Sequence, residues 1–240
     1  MLIPDWANRP FRIVYLLHGL HGNSATWLDK SMLSEYAKND NTVFIMPEAG
    51  RSFYTNQKYG RRYFDFFNEE LPCKCQKIFS ISAKREDTAV MGYSMGGYGA
   101  LRLSLSNPES FGFCGAISPA CLYFKPILDK LREDPSPYLK TGPEANEVFK
   151  DLRCIYGDGL EYREDYDVVK LAKNFPADKP KPKFYVTCGT EDDLRKENLE
   201  FTKMMAGTDF DYTYEEWPGG HEWIFFNEAL RKTLEVWRKQ

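Results

Sequence analysis

The chain has 240 residues, 42% hydrophobic and 28% charged, and its 32 Lys and Arg against 35 Asp and Glu leave a net charge of −3. This is ordinary globular usage, expected here to fold as one domain over 1–240, and it excludes a disordered, collagen-like or coiled-coil chain. Apolar runs reach only about five residues, as in 13–17, against the roughly 20 of a membrane helix. No basic run offers phosphates a surface, so neither a membrane nor nucleic acid is expected as a partner. Aromatic residues make up 15% of the chain, enough for a large core and an aromatic-lined pocket.

In chain order, short apolar runs at 12–17, 42–46, 88–93, 113–118 and 183–188 predict strands. They are apolar nearly throughout, as parallel strands covered on both faces are. A sixth strand is predicted within 210–217. Amphipathic stretches at 24–38, 61–79, 96–106, 192–206 and 222–239 predict helices between and after them. The alternation predicts an α/β fold, a mostly parallel sheet with helices on both faces. The stretch 119–182, rich in Pro, Gly and charge, is longer than a plain crossover; it is expected to be a cap-like insertion, with an ordinary long crossover as the alternative.

Six cysteines in a chain of this length do not make a disulfide scaffold. Cys114 and Cys188 lie in apolar runs and read as buried small hydrophobes. Cys73 and Cys75 form a C-x-C without the second pair of a zinc site. The N-terminus lacks a basic start and an apolar core, so no secretory signal is expected and the expected location is cytoplasmic.

Chemistry concentrates in Gly92-Tyr93-Ser94-Met95-Gly96, a G-x-S-x-G between a predicted strand and a predicted helix. A sharp turn there pushes the Ser94 hydroxyl into the open. The Met95 amide, at the helix N-terminus, then points where an oxyanion would form. Serine needs an imidazole base and a group that orients it. Of the three histidines, His221 lies in a loop after the last strand and before the last helix. The orienting acid is expected after the preceding strand, where Glu191, Asp192 and Asp193 are adjacent; Asp192 is favoured and Asp193 is the alternative. Leu16-Leu17-His18-Gly19-Leu20 ends the first strand, and the Leu20 amide is the candidate second oxyanion donor. His18 and His21 lack a third metal ligand nearby, so no metal is expected and His18 reads as a brace for its loop. Gly19, Tyr54, Tyr59 and Trp223 are candidate substrate-binding residues, with loop packing the alternative for Tyr54 and Tyr59 and a place in the core the alternative for Trp223.

With these residues in place, LLHGLHGNSATW, YTNQKYG, GYSMGGYGALRLSL, CGTEDDL and GGHEW resemble the esterase D / tributyrin esterase group of α/β-hydrolases, which includes S-formylglutathione hydrolases and feruloyl esterases. The resemblance runs over nearly the whole chain in matching order. It implies a serine carboxylesterase of α/β-hydrolase fold acting on short-chain acyl esters, including carbohydrate or hydroxycinnamoyl esters. Ser94 would be nucleophile, His221 general base and acid, and Asp192 the orienting acid, with the Leu20 and Met95 amides as the oxyanion hole. It implies no cofactor and a small-molecule ester as partner, and it admits a homo-oligomer. A thioesterase of the S-formylglutathione hydrolase kind and a non-catalytic binding protein of the same fold are the alternatives. Two departures stand out. Family members carry two antiparallel strands ahead of the HG strand, which this chain already reaches at residue 12. The loop after HG reads His21-Gly22-Asn23, where S-formylglutathione hydrolases carry a cysteine.

Overall fold

The computed structural model describes residues 1–5, 8–38, 40–136, 139 and 142–240. Six strands, β1 (Arg12–Leu17), β2 (Thr42–Ile45), β3 (Thr88–Tyr93), β4 (Phe113–Ile117), β5 (Lys183–Gly189) and β6 (Tyr212–Trp217), form one sheet of order β2-β1-β3-β4-β5-β6. Every pairing is parallel, with Ile13 opposite Thr88 and Ala89 opposite Phe113. β4 is buried at every position, and β1, β3 and β5 at all but their first, whereas edge strand β6 is nowhere fully buried. Runs of Val, Ile, Leu and Phe suit strands with no wet face, and the Tyr-Thr-Tyr-Glu-Glu of β6 suits an edge.

β2 is an edge that stays buried. Leu2 pairs with Phe44 across it as an antiparallel bridge, with both N–H···O distances 2.9 Å.

Helices cover both faces. α1 (Thr26–Lys30) and α2 (Leu33–Ala37) replace the one helix expected over 24–38. The break falls at Ser31, whose Oγ donates to the Trp27 carbonyl at 2.5 Å and accepts from the Leu33 amide at 3.2 Å, competing with the helical ladder. The run expected at 61–79 is α3 (Tyr63–Asp65), a π-helical turn at Phe66–Glu70 and α4 (Leu71–Ile78). Pro72 has no N–H for the carbonyl of Asn68, four residues earlier; the Asn107 side-chain amide donates to that carbonyl instead, at 3.4 Å. α5 (Met95–Ser106) is buried along all but its last residue and packs on β3, β4 and β1. α10 (Trp223–Arg238) lies with α1 and α2 over the other face.

The segment 119–182 contains α6 (Phe124–Glu133), α7 (Pro143–Tyr156) and α8 (Val168–Lys173). It closes over α5. The Arg102 guanidinium of α5 lies between the rings of Phe64 and Tyr166, 4.0 and 4.2 Å from their centroids, and donates to the Asp165 and Tyr54 carbonyls at 3.1 and 2.8 Å. Tyr98 donates to the Tyr166 carbonyl at 2.5 Å. Residues 165–166 of the segment thus lie against Tyr98 and Arg102 of α5. Further along, α9 (Arg195–Met205) follows β5. The helix expected from residue 192 begins at 195 because Asp192 is used in a turn.

β2 lies to one side of β1 and β3 to the other, so the direction of strand addition reverses between β1 and β3. Open parallel sheets have their ligand crevice at such a point, beyond the C-terminal strand ends. Leu17 leads there into the HG loop, and Tyr93 leads into Ser94. The approach is tight: a Cβ on Gly96 would stand 2.5 Å from the Leu17 carbonyl oxygen and 2.7 Å from that of His18. Gly96→Ala is expected to force α5 from β1 and cost about 2–4 kcal/mol of stability, read as a lowered urea midpoint; an unchanged midpoint would show that the contact can relax.

Candidate active site

Ser94 sits in the turn between β3 and α5 at φ 55° and ψ −121°. A non-glycine residue there is strained and persists only where its surroundings hold it. They do: its amide donates to the Ile117 carbonyl at 2.9 Å, and its own carbonyl accepts from the Tyr98 and Ala120 amides at 3.1 and 3.2 Å. The strain turns Oγ toward the crevice.

His221 comes from the loop between β6 and α10. Its Nε2 lies 3.0 Å from Ser94 Oγ and its Nδ1 2.9 Å from Asp192 Oδ2, and its ring meets Phe226 edge-on at 4.9 Å. An ionised Asp192 only accepts, so Nδ1 carries the proton and the Nε2 lone pair faces the serine hydroxyl. Asp192 is selected over Asp193 by the turn after β5. Its amide donates to the Gly189 carbonyl at 3.2 Å, and its Oδ1 accepts from the Leu194 amide at 2.9 Å, which leaves Oδ2 for the imidazole. The Asp192 side chain has no exposed surface, whereas Asp193 is exposed. Burial alone would push the Asp192 carboxyl up; hydrogen bonds from His221 and the Leu194 amide outweigh it and hold the carboxyl below the ordinary carboxylate range.

The HG loop is braced from three sides. His18, 1% exposed, accepts the Ala49 amide on Nε2 at 3.0 Å and donates from Nδ1 to the Gly19 carbonyl at 2.8 Å. Tyr54 donates to the His18 carbonyl at 2.8 Å, and Trp27 Nε1 donates to the Leu17 carbonyl at 2.9 Å. Gly19 lies against Tyr93, whose ring would be 2.5 Å from a Cβ at that position. Met95 is the first residue of α5, so its amide is among the helix-start donors with no carbonyl one turn back.

Two of the expected substrate contacts lie elsewhere. Tyr54 is fully buried and shapes the HG loop from behind. Phe53 and Tyr54 both have positive φ, 49° and 54°, and this turns the loop after β2 inward. Tyr59 is 58% exposed, and its hydroxyl meets Asp158 at 3.3 Å on the 119–182 segment. Trp223 does line the cleft around Ser94, beside Tyr93 and Phe226. Asn23, Asp29 and Lys30 line it as well. Phe226 could have been found as the residue three after Trp223 on one helix face. His21 reaches Glu144 of α7 at 2.9 Å while His18 points inward, so the H-x-x-H pair is split. Among the described residues, no three His, Cys, Asp or Glu converge as metal ligands, and no helix is long and apolar enough to cross a membrane.

A parallel sheet covered on both faces, with a strained serine and a facing imidazole at its switch point, defines a serine esterase of the α/β-hydrolase fold. The Esterase family model, described as "Putative esterase", matches residues 2–235, and the chain belongs to that family. An acetyl esterase of Caldicellulosiruptor saccharolyticus is 32% identical over 236 residues, covering 96% of this chain and 85% of that protein. Among solved structures, the fluorophosphonate-binding serine hydrolase F of Staphylococcus aureus superposes with a TM-score of 0.82 at 25% identity, covering 98% of this chain and 89% of that one. An S-formylglutathione hydrolase of the same organism gives 0.78 at 26% identity, covering 98% and 90%.

The lowered value of Asp192 fixes a sign. A carboxyl whose folded value lies below its ordinary one contributes stability that is present above the ordinary value of ~4 and lost as pH falls through the folded one. The stability advantage of the wild type over Asp192→Asn, measured by urea denaturation at about pH 7, 5 and 3, is therefore expected to shrink toward low pH. An advantage that grows on acidification would contradict the bonding described.

Proposed function

We propose that the protein hydrolyses short-chain acyl esters through an acyl-enzyme formed on Ser94. The observation that carries this reading is one imidazole bonded on both nitrogens, to Asp192 at 2.9 Å and to Ser94 Oγ at 3.0 Å. His221 takes the Ser94 proton as Oγ attacks the ester carbonyl. The Leu20 and Met95 amides stabilise the tetrahedral oxyanion, each such donor being worth about 3–4 kcal/mol in the transition state. His221 then protonates the leaving alcohol and activates the water that frees the acyl group, while Asp192 keeps the proton on Nδ1 and stabilises the imidazolium. No cofactor takes part in this sequence.

The cleft supports a small ester. It holds about 380 Å³ and is lined by the aromatic Tyr93, Trp223 and Phe226 and by the polar Asn23, Asp29 and Lys30. An acetyl or butyryl group suits the aromatic residues. A hydroxyl-rich alcohol such as a carbohydrate suits the polar ones. The likeness to an acetyl esterase favours the short acyl group. A thioester substrate is the second reading, favoured by the likeness to an S-formylglutathione hydrolase.

Ser94→Ala is expected to remove hydrolysis of p-nitrophenyl acetate. Asp192→Asn is expected to lower kcat by about 10³–10⁴ through the wrong imidazole tautomer, and Asp193→Asn to stay within a few-fold of wild type. Equal losses in the two aspartate variants would refute the assignment of the acid. In a panel of p-nitrophenyl acetate, p-nitrophenyl butyrate, methyl ferulate and S-formylglutathione, the two short-chain esters are expected to give the highest kcat/KM; dominance of the thioester would move the protein to the second reading.

A further inference from the structure

We propose that Glu197 is a positioning residue for Ser94, its carboxylate clasping the 118–122 loop that holds the nucleophile's backbone. This rests on Ser94 being the nucleophile. The loop follows β4, and its Ala120 amide donates to the Ser94 carbonyl at 3.2 Å. It adopts an unfavourable shape, with Ser118 at φ 42° and Cys121 at φ 58°, so something must hold it. Helix α9 does so from consecutive residues. Glu197 Oε1 accepts the Cys121 amide at 3.1 Å and Oε2 accepts the Leu122 amide at 3.2 Å, while Asn198 Nδ2 donates to the Pro119 carbonyl at 3.0 Å.

Two amide donors side by side need two acceptor oxygens. The ionised carboxylate supplies both best: protonation makes one oxygen a donor and a weaker acceptor, and a glutamine side chain has one oxygen and an NH₂. The clasp is therefore strongest in one charge state. Burial raises the Glu197 carboxyl, to about 7, against the lowering effect of the Leu122 and Cys121 amides, and the negative charges of Asp192 and Glu200 add to the rise. The Cys121 thiol and Tyr123 phenol also face it. Lys130, Asp193 and Lys196 line the groove outside. Because this folded value lies above the ordinary one, the group's contribution to stability falls as pH rises through about 7. The alignment of Ser94 improves over the same range, because the ionised form makes both bonds most strongly. A residue that served stability alone would not show these opposite trends.

The test compares wild type with E197Q on p-nitrophenyl acetate across about pH 6 to 8.5. Near pH 6 the protonated glutamic acid and the amide are near-equivalent, so the two kcat values are expected to agree. By pH 8.5 the variant is expected to fall about tenfold below wild type with KM within about twofold, the ratio turning near pH 7. E200Q keeps both clasp bonds and removes one charge that raises Glu197, so it is expected to match wild type at pH 8.5. A ratio of E197Q to wild type that stays flat with pH would overturn the inference. Should E197Q not fold, amide exchange in the wild type decides: protection of Cys121 and Leu122, corrected for intrinsic rates, is expected to rise through pH 7, and constant protection overturns the clasp. An inactive wild type would defeat the Ser94 reading and this inference together, whereas an active wild type with a flat ratio defeats this inference alone.

Discussion

The site depends on a hydrogen bond between a carboxylate with no exposed surface and one nitrogen of a part-exposed imidazole. Asp192 can be buried and still ionised because its two oxygens are filled, one by the Leu194 amide and one by His221 Nδ1. That bond fixes which nitrogen of His221 faces Ser94. The loops that carry Asp192 and His221 are in turn cross-linked: the Thr190 amide donates to the Trp217 carbonyl and the Glu191 amide to the Gly219 carbonyl, both at 3.0 Å. Here β5 and β6, two neighbouring strands of the sheet, bring the Asp192 carboxylate and the His221 imidazole into contact.

The serine is delivered differently. Its strained turn stands at the point where strand addition reverses, next to the end of β1, and the price of the strain is met by backbone bonds from β4, α5 and the 118–122 loop. The HG loop on the other side of the crevice is fixed by the His18, Tyr54 and Trp27 side chains. Rigidity on both sides matters because oxyanion donors work through preorganisation: amides that had to reorient during the reaction would surrender much of their electrostatic advantage. The 119–182 segment contributes to this frame from behind, by burying α5, and touches the cleft's rim through the Glu144–His21 contact.

Much of this was legible in the sequence. Apolar runs without alternation located the five buried strands to within a residue or so, because a strand buried on both faces leaves no polar positions. Chain order and the G-x-S-x-G context pointed to Ser94 and His221, which the fold brings to hydrogen-bonding distance. Three adjacent acids could not be told apart by residue type, since the choice of Asp192 is made by a turn that buries one and exposes the next. For Tyr54, pocket lining and loop packing are not separable by sequence for a related reason: the loop after β2 lies at the sheet edge of the site, and two consecutive positive-φ residues turn it into the core. Glu197 carried no signal at all, being one acid in an amphipathic helix whose partners are backbone amides some 75 residues away.

The most direct test of the central claim is chemical capture of the acyl-enzyme. Acid-quenching the protein during turnover of p-nitrophenyl acetate and mapping its peptides by mass spectrometry is expected to find the added acetyl group on Ser94, with none on that residue after His221→Ala. Acetyl found on another side chain, or turnover with no acylated peptide under conditions that trap a known serine esterase, would contradict the account.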